Sequence, residues 1–188
     1  MQAIDKKQLS HDEYFAFEQQ EQVRYEYIAG EVFAMTGGTF KHGKISVNCT
    51  TCLSMALRGT PCSILNSDMK LFISEHDKYC YPDAVLLCNG KENNLSIEEP
   101  ELIIEVLSES TESYDRGLKF EHYRSIKNLQ YYLLINQERP HVELYTRQDD
   151  KHWILSEYTD LEEFIELEQW QIKLPLHEIY YNIDFNQE

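Results

Sequence analysis

With 188 residues, 42% of them hydrophobic and 12% aromatic (thirteen are Tyr), the chain has enough packing material for one core, which excludes a disordered polymer. A formal net charge of −16 argues against constitutive tight binding of nucleic acid, because phosphate contacts need local positive charge. No window approaches the roughly 18 uninterrupted apolar residues of a membrane span, and Met1-Gln-Ala-Ile-Asp-Lys-Lys has no apolar run behind its lysines.

In chain order, Ser10-His-Asp-Glu13 is a capping-box pattern that opens a short helix to about Gln20. Val23–Ile28 and Glu31–Met35 flank Ala29-Gly30 as two β-prone runs flank a hairpin turn. A loop with Gly37, Gly38 and Gly43 follows, then an amphipathic helix with Ile45, Cys49, Cys52, Leu53 and Ala56 on one face, stopped by Gly59. Ser63–Ile73, Tyr79–Cys88 and Glu101–Leu107 read as three strands. The last is apolar on both faces except for Glu105, as in a strand covered on both sides of a sheet. Ser108 to Thr111 cap a helix to about Ser125 with Tyr114, Leu118 and Tyr123 (or Ile126) toward the core. Tyr131–Ile135, His141–Thr146 and Trp153–Tyr158 are further strands, and the tail ends in a strand-like stretch and a short helix after Pro175. The pattern predicts one α/β domain over 1–188, with a core at about 37–136 and a β-rich extension at about 140–188.

Two motifs carry less than they promise. Gly38-Thr-Phe-Lys-His-Gly43-Lys44 fits G-x-x-x-x-G-K, but Ile45 stands where a phosphate-binding loop needs a Ser or Thr hydroxyl for Mg²⁺. Cys49-Thr-Thr-Cys52 lacks the partner spacing of a four-ligand zinc site and lies on the apolar face of its helix, so core packing is favoured. With no export signal, all five Cys are expected to be reduced thiols of a cytoplasmic protein.

The informative residues are two acids in apolar strands. Tyr81-Pro-Asp83 opens Ala84-Val-Leu-Leu, and Glu105 interrupts Leu102-Ile-Ile-Glu-Val. A buried carboxylate costs several kcal/mol unless it is paired or binds a metal. On neighbouring strands about 4.8 Å apart, the two could converge on one Mg²⁺ or Mn²⁺, ions that prefer oxygen ligands. A buried acid hydrogen-bonded to a Tyr or Arg is the plainer alternative.

This order of strand-borne Asp, strand-borne Glu and a preceding helix resembles the PD-(D/E)XK nuclease superfamily. Pro82-Asp83 matches its first motif and Glu105-Val-Leu107 its second, with Leu107 where the lysine belongs. Some members take that lysine from the following helix, where Lys119 stands one turn beyond Asp115. The longer pattern resembles the Uma-two family of restriction-endonuclease-like proteins: Tyr25-Glu26…Gly30-Glu31, His42, Tyr81-Pro-Asp83, Pro100…Ile104-Glu105-Val-Leu-Ser108, Thr111, Asp115, Lys119 and Tyr123.

The resemblance implies a restriction-endonuclease-like α/β fold, a mixed sheet flanked by helices with an α-β-β-β-α-β core, an N-terminal hairpin and a C-terminal β extension. It implies Asp83 and Glu105 as metal ligands, joined by a main-chain carbonyl at Val106, and Lys119 as the third catalytic residue. Glu31 and Asp68 would form an outer shell or second metal position, Asp115 would hold Lys119, and His42, Lys41 and Lys44 would approach phosphate. Tyr123 stands a turn beyond Lys119. The expected substrate is nucleic acid, DNA rather than RNA, with no membrane partner and with homodimerisation through the C-terminal hairpin and tail. Two locally basic segments, 37–74 and 113–127, keep a polyanion compatible with the overall acidity. A non-catalytic binding or regulatory module on the same fold is the alternative, motivated by that acidity and the displaced lysine.

Overall fold

The computed structural model describes residues 8–35, 37–88 and 95–185; the N-terminal heptapeptide that bears on export lies outside them. Helix α1 (His11–Glu21) starts on the expected capping box, Ser10 accepting from the Glu13 amide while Glu13 bonds back to the Ser10 amide. The hairpin forms as β1 (Tyr25–Ile28) and β2 (Glu31–Ala34). Its turn holds Ala29 at φ 47° and Gly30 at φ 96°, the left-handed pair that matches strand twist.

Helix α2 (Phe40–Ala56) is capped by Thr39, whose hydroxyl accepts from the His42 amide. It begins before Gly43, so Gly38–Lys44 is no phosphate-binding loop: its second half is already helical. Ile45, Cys49 and Leu53 form the buried face, while Ala56 is exposed and Cys52 half-buried.

The first two of the three expected strands are each split in two. Ser63–Ile73 becomes β3 (Ser63–Asn66) and β4 (Leu71–Ile73), and Tyr79–Cys88 becomes β5 (Lys78–Cys80) and β6 (Ala84–Leu87). Both segments cross from one sheet to another. Strands β4 and β5 join the hairpin in a four-stranded sheet ordered β2-β1-β5-β4, whereas β3 and β6 enter a six-stranded one. Pro82 has no amide to donate and sits at the crossing, which ends the β5 ladder just before Asp83.

The six-stranded sheet runs β10-β9-β8-β7-β6-β3, with β7 (Leu102–Leu107), β8 (Tyr131–Asn136), β9 (Val142–Arg147) and β10 (Trp153–Tyr158). Only β7 and β8 are parallel, which makes the sheet mixed. One face packs on α2, on the hairpin of β11 (Phe164–Leu167) and β12 (Ile172–Pro175), and on α5 (Leu176–Ile179). Ile165, Leu167, Ile172 and Leu174 of that hairpin are buried in this core. The other face carries Ile103, Leu107, Tyr132 and Leu134 against the segment 112–126.

That segment consists of a turn of helix α3 (Glu112–Tyr114), a π-turn over Asp115–Lys119 and helix α4 (Phe120–Tyr123), with a non-helical Gly117 (φ −105°, ψ −106°). The π-turn changes which residues face the sheet. Asp115, Lys119 and Tyr123 point inward, and Leu118, expected in the core, is 48% exposed. The thiol expectation also changes. The β3–β6 register that pairs Ser63 with Leu87 sets Cys62 beside Cys88, and these form a disulfide, leaving Cys49, Cys52 and Cys80 free.

The phase of the π-turn predicts contrasting truncations in urea denaturation. Leu134→Ala should cost about 2–5 kcal/mol as a buried deletion, and Leu118→Ala within about 0.5 kcal/mol; equal losses would put Leu118 in the core.

Candidate active site

Asp83 lies one residue before β6, and the antiparallel register that pairs Ala84 with Ile104 continues to set it opposite Glu105. Directly opposed residues project to the same face with Cβ atoms about 5 Å apart. The two acids therefore share one patch on the side of the sheet that faces the π-turn.

Each carboxylate has its own donors. Asp83 Oδ2 accepts the Val106 amide at 2.7 Å and lies 3.2 Å from His42 Nε2. Val106 thus meets Asp83 through its N–H. Glu105, 3% exposed, receives on Oε1 the Tyr123 hydroxyl and the Lys119 ammonium, each at 2.7 Å. Lys119 Nζ is also 3.1 Å from Asp115 Oδ1, off the line of a hydrogen bond, so that buried oxygen has ion-pair contact alone. His42 reaches Asp83 from the first turn of α2 because Gly38 leaves room: a Cβ there would come within 2.8 Å of His42 Nδ1.

Burial sets the protonation pattern. It pushes the Glu105 carboxyl up to about 8 despite the opposing Lys119 charge, with Asp115 and Asp83 adding to the rise. Burial alone would lower Lys119, yet Glu105 and Asp115 hold it well above the usual lysine range, so it stays an ammonium. For His42 burial lowers and Asp83 raises, by hydrogen bond and by charge; the net direction is upward. Burial drives Tyr123 far upward, which keeps it a phenol that donates to Glu105.

The residues brought together are thus Asp83, Glu105, Lys119, Asp115, Tyr123 and His42. Two others are elsewhere. Asp68 is exposed and pairs with Arg24 at 2.6 Å, and Glu31 is exposed at the head of β2 in the other sheet. Lys41 pairs with Glu138 at 3.2 Å, and Lys44 donates to the Asn182 carbonyl at 2.5 Å.

The sheet register extends the acidic theme. Glu105 is opposite Leu134, Leu134 opposite Glu143 and Glu143 opposite Glu157. Along this row the π-turn supplies Lys119 to Glu105 and Arg116 to Glu143, while Arg116 also bonds Glu112 at 3.0 Å. Among the described residues, His141, Glu143 and Glu157 are the one trio of candidate ligands with atoms within 4.8 Å of one another. Hydrogen bonding disfavours an ion there. Arg139 Nη2, which can only donate, faces His141 Nδ1 at 3.2 Å, so Nε2 carries the hydrogen it gives to Glu157 at 3.0 Å.

The Asp83–Glu105 patch suits a hard cation better. Its donors are carboxylate oxygens, as Mg²⁺ and Mn²⁺ prefer, and the buried Asp115 oxygen without a hydrogen bond marks polar capacity still unmet nearby.

Sequence reasoning gave no site role to Glu26, Lys78 or Tyr114, a network adjoining Lys119. Lys78 Nζ donates to the Tyr114 hydroxyl at 2.7 Å, and that hydroxyl donates to Glu26 Oε2 at 2.9 Å. The signal was available: a Lys and a Glu each stand within a β run dense in Tyr and Cys, the same anomaly that singled out Glu105.

Comparison with known proteins bears on the family and the fold. Residues 11–176 match the Uma2 family, described as "Putative restriction endonuclease". Two proteins of Synechocystis sp. are similar over most of their length. The protein slr1290 is 35% identical over 179 residues, 94% of each chain, and sll1609 is 34% identical over 155 residues, 80% of this chain and 88% of its own. A crystal structure from Anabaena variabilis of a "putative nuclease belonging to DUF820" superposes with a TM-score of 0.74, covering 92% of this chain and 97% of that one. Its 16% identity makes it a likeness of fold.

Because Glu105 holds a proton more tightly folded than unfolded, wild-type stability should fall as pH rises from its ordinary value of 4.5 through about 8. Glu105→Gln cannot ionise and escapes that loss. Its Tm relative to wild type should therefore climb between about pH 5 and about pH 9; a difference constant in pH would mean that Glu105 is ionised throughout.

Proposed function

The chain belongs to the Uma2 family, and on that premise we propose that it is a metal-dependent nuclease that hydrolyses phosphodiester bonds of nucleic acid, DNA rather than RNA. The observation that carries this reading is the pairing of Asp83 with Glu105 across β6 and β7, with Lys119 on Glu105 at 2.7 Å.

In this reading Asp83 and Glu105 hold Mg²⁺ or Mn²⁺. When bound, the ion supplies charge neutralisation at the phosphate and a more acidic water. The chain's own groups do the rest. Lys119 takes the lysine role from the helical segment rather than from position 107, and its ammonium stabilises the negative charge that grows on the phosphate oxygens. Tyr123 fixes the Glu105 carboxylate and Asp115 keeps Lys119 directed at it. His42 orients Asp83 from the start of α2. The family description supports the DNA assignment.

Loading the site requires an ionised Glu105, so cation uptake should release one proton below about pH 8. Calorimetric Mn²⁺ affinity should then rise about tenfold per pH unit between about pH 6 and pH 8 and level off above it. An affinity independent of pH would place the ion elsewhere.

Cleavage itself is tested on duplex, single-stranded and nicked DNA and on RNA, with Mg²⁺ or Mn²⁺. Glu105→Ala should abolish metal-dependent cleavage, and Lys119→Met should lower kcat about 10²–10³-fold. Cleavage undiminished in Glu105→Ala would refute the assignment. Metal binding without cleavage of any substrate would favour a non-catalytic module on this fold.

A further inference from the structure

The four-stranded sheet has no part in the metal patch, yet it sends two fully buried charges toward it. Glu26 on β1 is 1% exposed and Lys78 on β5 is 0% exposed. Burying an ion pair gains little stability and often loses some against apolar residues of the same size, so packing alone does not account for it.

The geometry assigns the pair a target. Their direct separation is 3.6 Å, longer than either hydrogen bond each makes to the Tyr114 hydroxyl. Tyr114 is therefore the element that the two charges grip, one as donor and one as acceptor. It stands immediately before the π-turn that bears Asp115 and Lys119, and its ring lies 5.0 Å from Lys78 Nζ and 6.0 Å from Lys119 Nζ. A wider, kinked turn with a non-helical Gly117 has no intrinsic reason to hold one rotation. Arg116 on Glu143 and the Tyr132 hydroxyl on the Asp115 carbonyl at 3.0 Å tie its first residues to the six-stranded sheet, and Tyr114 ties its start to the four-stranded one.

We infer that Glu26 and Lys78 are positioning residues: through the Tyr114 hydroxyl they fix the start of the π-turn and thereby set Lys119 over Glu105, so that the four-stranded sheet is part of the nucleolytic machinery. The inference rests on the nuclease reading for its consequence in turnover, but the placement of Lys119 is measurable without turnover.

The test removes both charges together, so that no buried ion is left unpaired, in the double variant Glu26→Gln, Lys78→Met. Tyr114→Phe is the second variant should the double fail to fold. A structural pair and a positioning pair then differ. The double variant should melt within a few degrees of wild type, with kcat at least about tenfold lower and KM and Mn²⁺ affinity unchanged. In lysine-¹⁵N-labelled protein the Lys119 Nζ resonance should shift and its hydrogens exchange faster. Restoring Glu26 and Lys78 should return both readouts.

Wild-type kcat together with a wild-type Lys119 signal in either folded variant would overturn the inference. Should the wild-type protein cleave nothing, that would count against the nuclease reading. The Lys119 resonance would still decide whether Glu26, Lys78 and Tyr114 hold it in place.

Discussion

Everything at this site follows from two carboxylates set face to face across an antiparallel pair of buried strands. Asp83 and Glu105 repel each other in a medium that screens poorly, and neither has a packing reason to be there. The surrounding elements answer that cost in kind: a main-chain amide and a histidine on Asp83, a phenol and an ammonium on Glu105. Even so, burial leaves Glu105 favouring its protonated form at neutral pH.

Supplying those four groups shapes the fold around them. His42 needs α2 to begin at the sheet end, which Thr39 caps and Gly38 makes room for. Lys119 and Tyr123 need a helical segment whose inward positions recur every fourth residue, which the π-turn and α4 together provide. Asp83 needs a strand that stops, and Pro82 stops it where the chain leaves one sheet for the other. The two sheets are joined through these crossings, which is why residues of the N-terminal sheet such as Glu26 and Lys78 end beside the π-turn.

Much of this was legible from residue patterns. Acids in apolar runs stand out because burial makes them costly, so Asp83 and Glu105 could be read directly, whereas Asp115, Lys119 and Tyr123 entered through the resemblance to the nuclease family. What stayed hidden depended on non-local geometry. Nothing local says that Ser63–Ile73 and Tyr79–Cys88 each divide between two sheets, and that division carries Glu31 and Asp68 away from the site. Leu118 was misassigned because a regular helix was assumed where the chain widens into a π-turn. Cys62 and Cys88 lie 26 residues apart and meet only through the β3–β6 register.

The central claim is that the opposed carboxylates, and not the histidine-containing trio on β9 and β10, are where a hard cation binds. Crystals soaked in Mn²⁺ and measured at a wavelength with strong manganese anomalous scattering test it most directly. The account predicts one strong anomalous peak between Asp83 and Glu105, absent from crystals of Glu105→Gln. A peak at His141, Glu143 and Glu157 with none at Asp83 would contradict it.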